Sequence, residues 1–245
     1  MIYFLLIASV SYALMQFFEV MSLGSRVAGK LTNRLALGTT LQHSVLMASR
    51  IFLPPLLLSI SFMIESGLNI ELYLLMSLVM IVLAFITSVI VLIKFNYFQQ
   101  FFQHLFIQYQ FSSIPVAIFR IFLHKKVKPN YVEFPSIFTI KYLPIKKVLT
   151  AAFAYAFLTT GFLIAFSIAI LIPDYRMTVS HLASLFHGLG GFILALYIDP
   201  MVSRSLDVEF ENTLWVENIY AIFIGRLIAY IFSTVGFLIA FYIYK

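Results

Sequence analysis

The sequence predicts an all-α polytopic membrane protein, with about six transmembrane helices and interfacial or re-entrant amphipathic helices between the third and the fourth. Three observations carry that prediction. The chain of 245 residues is 62% hydrophobic and only 11% charged, where a soluble domain carries about 25% charged residues. The deficit runs through the whole sequence, with a mean hydropathy of +1.00, so it does not mark one apolar helix on a soluble body. The period-two alternation of an outer-membrane barrel is absent. A single integral membrane domain over residues 1–245 is therefore expected.

Six segments reach the roughly 20 apolar residues that a helix needs to cross a bilayer. They are 2–23, 36–63, 72–94, 148–172, 180–199 and 218–243. The first lacks a basic leader and runs into "EVMSLGSRVAGK" rather than a small-residue cleavage site, so it reads as a retained span. The second contains "HSVLMASRIFLPPLLLSISF", with Arg50 near its middle and Pro54 and Pro55 just after. Pro54 removes a backbone N–H and loosens the turn beside the arginine. After the third span, residues 96–124 mix aromatics with glutamine and then turn basic. That mixture suits helices lying in the interface and broken at Pro115, with a re-entrant element over 113–123 as the alternative. The fifth span holds "HGLGG", whose glycines suit close packing or an unwound segment. The sixth carries a second intramembrane arginine, Arg226.

The basic residues set the orientation. The first connection holds Arg26, Lys30 and Arg34, and the fifth holds Arg204. The third holds Lys94, Arg120, Lys125, Lys126, Lys128, Lys141, Lys146 and Lys147. The even connections and tails hold only Arg176 and Lys245. This imbalance puts the odd connections in the cytoplasm and both termini outside. The sequence pI of about 9.4 thus reports topology, and no nucleic-acid partner is expected.

Polar residues inside the spans differ in what they demand. Ser9, Ser88, Thr159 and Ser167 read as helix–helix hydrogen bonds, worth about 0.6 kcal/mol on average. An arginine in mid-span costs at least ~3 kcal/mol, and something must offset it. Thr39, His43 and Arg50, at i, i+4 and i+11, share a helical face, as do Arg226, Tyr230 and Ser233. Ser180, Ser184, His187 and Gly191 form a stripe on the fifth span. Glu19 and Arg26, seven apart at the cytoplasmic end of the first span, face one way and can pair with each other or with arginines elsewhere. Glu19 and Asp199 sit near span ends, so the arginines lack carboxylates at their own depth. Surplus positive charge points to an anion, and the guanidinium fork suits phosphate. The competing reading has Arg50 satisfied by helix carbonyls and Glu19.

No cysteine is present, and neither a Walker motif nor an HExxH spacing occurs. No cofactor, metal site or catalytic residue is expected, and a transporter is favoured over an enzyme. A membrane enzyme would have to draw on His104, His124, His181 and the acids near 207–217, which show no ligand spacing. A non-catalytic partner subunit would account for the aromatic interfacial segment and leave both arginines unexplained.

Three stretches together carry a family resemblance. "FFEVMSLGSRVAGKLTNRLALGTTLQHSVLMASR", "PDYRMTVSHLASLFHGLGGFILALYIDP" and "GRLIAYIFSTVGFLIAF" resemble, in order and spacing, the signatures of the Amj family, the alternate lipid II flippases of bacteria. The matching polar positions are Glu19, Arg26, Gly29, Arg50, Arg176, Asp199 and Arg226. The resemblance implies a multi-pass protein of the bacterial cytoplasmic membrane that moves undecaprenyl-pyrophosphate-linked sugars to the outer leaflet. On that reading Arg50, Arg226, His43 and His187 line a cavity for the pyrophosphate, and the tail stays among membrane lipids. Arg26, with Lys30 and Arg34, gathers the anionic lipid at the entrance. Glu19, Asp199 and Arg176 serve as charge partners or gates. A membrane potential negative inside favours outward movement of an anion by about 2.3 kcal/mol per charge per 100 mV crossed. The nearest rivals are another polyprenyl-linked glycan of O-antigen type and a phospholipid. Six spans make a small cavity, so a homodimer is a further expectation to test.

Overall fold

A computed structural model describes residues 2–110, 112–123, 134–135, 142–207 and 214–245. Lys125, Lys126, Lys128, Lys141, His124 and the acids Glu209 and Glu211 lie outside the described residues. All regular structure among the described residues is helical: α1 (Ile2–Met21), α2 (Leu23–Leu31), α3 (Leu35–Ser49), α4 (Leu53–Glu65), α5 (Ile70–Ile93), α6 (Phe95–Tyr109), α7 (Ile114–Leu123), α8 (Ile145–Leu171), α9 (Arg176–Ser180), α10 (Leu182–Ile193), α11 (Asp199–Asp207) and α12 (Leu214–Tyr244). They assemble into six helical stretches long and apolar enough to cross a membrane: Ile2–Leu31, Leu35–Glu65, Ile70–Ile93, Ile145–Leu171, Pro173–Asp207 and Trp215–Tyr244. The six expected spans are all present. The first and fifth run several residues past their sequence boundaries, because "SLGSRVAGK" and "DPMVSRSLD" stay helical although polar.

Local chemistry explains the breaks. The α2–α3 turn places Asn33 at φ 55, with Arg34 N–H donating to Gly29 O at 2.7 Å and Asn33 N–H to Lys30 O at 3.2 Å. That is a Schellman cap, for which asparagine is the usual substitute for glycine. The α4–α5 turn repeats it with Gly67 at φ 84, and Asn69 then caps α5 by accepting from Leu72 N–H at 2.9 Å. Between α3 and α4 the helix tightens to a 3₁₀ turn at Arg50–Phe52 before the prolines open α4. There their missing N–H groups go unneeded. The expected loosening at Pro54 is thus a tightening instead. Between α10 and α11 the chain widens to a π turn at Leu194–Ile198. Pro200 offers no N–H to the preceding turn and its ring crowds the carbonyl four residues back, a recurrent cause of such a bulge.

The bundle centres on α1, α5, α8 and α12. Its larger core packs Tyr12, Ile60, Tyr73, Met80, Leu163 and Tyr230, all fully or almost fully buried. The N-terminal half of α12 is enclosed by α8 and α11 through Trp215, Ile219 and Phe223. The described residues of segment 96–124 form α6, which ends at Tyr109, and α7, which starts at Ile114 beside Pro115. The buried face of α6, Phe95–Gln99–Phe102–Phe106, lies against α2, where Gly24 leaves room for the Phe102 ring. Arg34 Nη1 donates to Phe106 O at 3.0 Å, tying the first connection to α6. Lys147 Nζ donates to Asn218 Oδ1 at 2.6 Å and Lys30 Nζ to Leu206 O at 2.5 Å. The odd connections therefore gather at one end of the bundle.

Candidate functional site

A polar cavity of about 140 Å³ lies between α1, α2, α3, α8, α10, α11 and α12. Three guanidinium groups, Arg26, Arg50 and Arg226, and two carboxylates, Glu19 and Asp199, line it together with Gln42, Tyr155 and His187. Residues spread over five of the six spans are thus brought to one point. This corrects the expectation about depth. Glu19 and Asp199 do reach the arginines, so the surplus among these lining groups falls to one positive charge.

Glu19 is shared. Its Oε2 accepts from Arg226 Nη2 at 3.0 Å and its Oε1 lies 3.7 Å from Arg50 Nη2. Arg226 is 2% exposed and well satisfied. Its Nε donates to Tyr230 Oη at 3.0 Å, its Nη2 also donates to Gln16 Oε1, and its Cζ stands 4.6 Å above the Tyr155 ring. The Tyr230 hydroxyl donates in turn to Gln16 Oε1 at 2.8 Å. Such a network offsets the desolvation of a buried cation. Arg50 differs. Its side chain is 33% exposed and its link to Glu19 is long, so most of its donors remain available. Its position in the 3₁₀ turn carries the guanidinium to the cavity mouth.

Arg26 and Asp199 form the second pair, Nη2 to Oδ1 at 2.9 Å. The π turn that ends at Ile198 sets the direction of Asp199. Two deeply buried atoms at this end have no partner: Arg26 Nε, a donor, and Gln42 Oε1, an acceptor.

The other expected residues divide. His187 and Gly191 line the cavity, while Ser180 and Ser184 of the same stripe stay outside it, the first half-buried and the second exposed. His43 is exposed as well and leaves the cavity to Gln42, Leu46 and Arg50, at i, i+4 and i+8. The cavity face follows that tilted row, and His43 stands about 100° round from Gln42. Arg176 is far from the site, at the opposite end, where its Nη1 approaches Ile64 O at 3.4 Å. The small hydroxyls also depart from expectation. Thr159 and Ser167 donate back to the carbonyls of Tyr155 and Leu163 in their own helix, as mid-helix hydroxyls readily do. Sequence reasoning missed Gln16, Gln42 and Tyr155. The first was legible as a polar residue one turn from Glu19, whereas the tyrosine was hidden in an apolar run.

A family model described as "Amj: Alternate to MurJ" matches residues 12–243. No curated protein and no solved structure matches the chain.

Proposed function

Because the chain belongs to the Amj family, the alternates to MurJ, and is accordingly a lipid II flippase that translocates the peptidoglycan precursor, we propose that the charged cavity is where the pyrophosphate of an undecaprenyl-linked precursor is held. The observation that carries this reading is Arg50, a mid-span guanidinium one-third exposed at the mouth of a cavity that two further arginines line. A pyrophosphate oxygen replaces the distant Glu19 carboxylate as its partner, by the charge-assisted bonds that guanidinium makes best. Arg26 and His187 supply neighbouring donors, and Arg226 stays with Glu19 as the fixed floor of the site. Glu19 and Asp199 act as exchangeable counter-charges, which hold the arginines while no lipid is bound.

The protein works as one six-span domain in the bacterial cytoplasmic membrane, with the basic odd connections inside and both termini outside. α6 and α7 lie along the cytoplasmic interface, where aromatic and glutamine side chains suit the headgroup level. Arg176 donates to the Ile64 carbonyl at the outer end and takes no part in binding. A volume of about 140 Å³ is below the roughly 300–1,000 Å³ of small-molecule pockets. The cavity therefore receives the pyrophosphate and the polar groups next to it, and the rest of the sugar head passes only when the walls part. The ion pairs at Glu19 and Asp199 join those walls, so a lipid that competes for the arginines also loosens them. The membrane potential supplies the outward bias.

Complementation tests this. In a bacterium depleted of its essential lipid II flippase, the wild-type chain restores lipid II to the outer face. Arg50→Ala, inserted at the same level, does not. Full rescue by Arg50→Ala removes the cavity as the pyrophosphate site.

A further inference from the structure

Glycines mark how the helices around the cavity are joined, and one junction differs from the rest. Along the α2–α3 seam, a Cβ on Gly29 would stand 2.9 Å from Gly38 Cα. Along α8–α12, a Cβ on Gly225 would stand 2.6 Å from both Ala151 Cβ and Val148 O. Along α8–α10, Gly161 leaves no room beyond Phe186, and a Cβ on Gly190 would stand 2.8 Å from Ala154 O. These seams are closed by backbone approach, the usual role of small residues between membrane helices. The α3–α10 boundary is not. α10 packs on α8 and hardly touches α3, and a Cβ on Gly188 or Gly191, at i and i+3 of α10, would meet nothing within 4 Å.

That open seam leads into the polar cavity. Gly191 and His187 belong to both, and Arg50 and Leu46 stand opposite on the other helix. The cavity behind it holds the unpartnered Arg26 Nε and Gln42 Oε1, on residues 3% and 6% exposed. A buried orphan donor and a buried orphan acceptor point to a polar ligand that supplies both functions. Phosphate oxygens only accept, so the partner of Gln42 is a hydroxyl or amide N–H on the group beyond the phosphate.

We propose that the seam between α3 and α10 is a lateral portal, through which the pyrophosphate enters the cavity while the first isoprene units of the tail pass over Gly188 and Gly191 into the bilayer. The proposal rests on the cavity being the pyrophosphate site. An amphiphile whose charged group is buried and whose tail is hydrocarbon needs a passage without polar groups, wide enough for a chain and continuous with the charge. The two glycines give α10 that surface. A side chain at either would be tolerated by the fold and not by the tail.

The test uses two probes on the purified full chain: inorganic pyrophosphate, which has no tail, and undecaprenyl-pyrophosphate-linked sugar. Gly188→Trp is expected to bind pyrophosphate within about twofold of wild type and the lipid at least about tenfold more weakly. Arg50→Ala is expected to lose both. A second measurement exploits the absence of cysteine. Met47→Cys combined with Gly188→Cys, joined by a bismaleimide chosen from a length series for the one that reacts with both thiols, should stop lipid transport while pyrophosphate still binds. Lipid binding by Gly188→Trp equal to wild type, or transport that continues after cross-linking, overturns the portal and leaves the cavity reading standing. Unchanged pyrophosphate binding by Arg50→Ala overturns the cavity reading, and the portal with it.

Discussion

A groove and a cavity in the same bundle differ in what their walls require. The groove between α5, α8 and α12 holds about 490 Å³ and is walled by Leu74, Ile164, Leu171, Phe237 and other apolar residues. Its serine and threonine hydroxyls are already bonded, Thr160 to Ala156 O, Ser167 to Leu163 O and Ser233 to Thr160 Oγ1. Apolar walls of this kind ask for no polar partner. The charged cavity is less than a third as large, yet its walls carry guanidinium and carboxylate groups whose desolvation has to be offset. In a bilayer, size is therefore a poor guide to function, because apolar volume is free to occupy and buried charge is not.

The two arginines of the cavity sharpen the contrast. Arg226 is held by four partners inside the bundle, whereas Arg50, one-third exposed with a single distant partner, is the one we propose meets the ligand. Arg226→Leu should have the largest effect on stability. It leaves Glu19 with only the distant Arg50, and breaking such a buried pair costs about 3–5 kcal/mol. At roughly 2–4 °C per kcal/mol for a chain of this size, thermal unfolding in detergent should fall by about 10 °C. An unchanged melting temperature would mean that Arg226, too, is held for a ligand. On the groove side, Gly236 has open space before it. Gly236→Leu should change stability by less than ~1 kcal/mol and leave transport at the wild-type rate. A clear loss of transport would make the groove functional and break the comparison.

The smallest expected effect lies outside both openings and outside the spans. Burial pushes His104 of α6 below the ordinary histidine range, and its Nε2 has no partner. The folded state thus binds fewer protons at this residue than the unfolded one. Its contribution to stability is complete above the ordinary pKa of about 6.5 and is lost as pH falls through the lowered folded value. Melting curves at pH 7.5 and 5.5 should differ more for wild type than for His104→Asn. Equal differences would remove His104 as the source.

How much of this was legible in the sequence follows from the physics of each feature. Six spans were legible because hydropathy needs no partner to be read. The family resemblance and the cost of Arg50 and Arg226 picked out the residues that now meet in one cavity, along with Glu19, Arg26, Asp199 and His187. What the sequence hid was relative rotation. His43 and Gln42 are neighbours in the chain, and only the tilt of α3 decides which faces inward. The depth of Glu19 and Asp199 was hidden for a related reason. α2 and α11 continue as helices beyond the apolar runs, so residues that look terminal in a hydropathy plot lie inside the bundle. Arg176 was chosen for a motif, and its side chain lies away from the cavity, beside the Ile64 carbonyl.

The most direct measurement is transport of lipid II by purified protein in reconstituted vesicles, for wild type and for Arg50→Ala matched in thermal stability. The account predicts equal melting temperatures within the ~1 kcal/mol that a part-exposed ion pair contributes, and transport at least about tenfold slower in the variant. Equal transport rates would contradict it, and would show that Arg50 is held in the membrane by Glu19 alone.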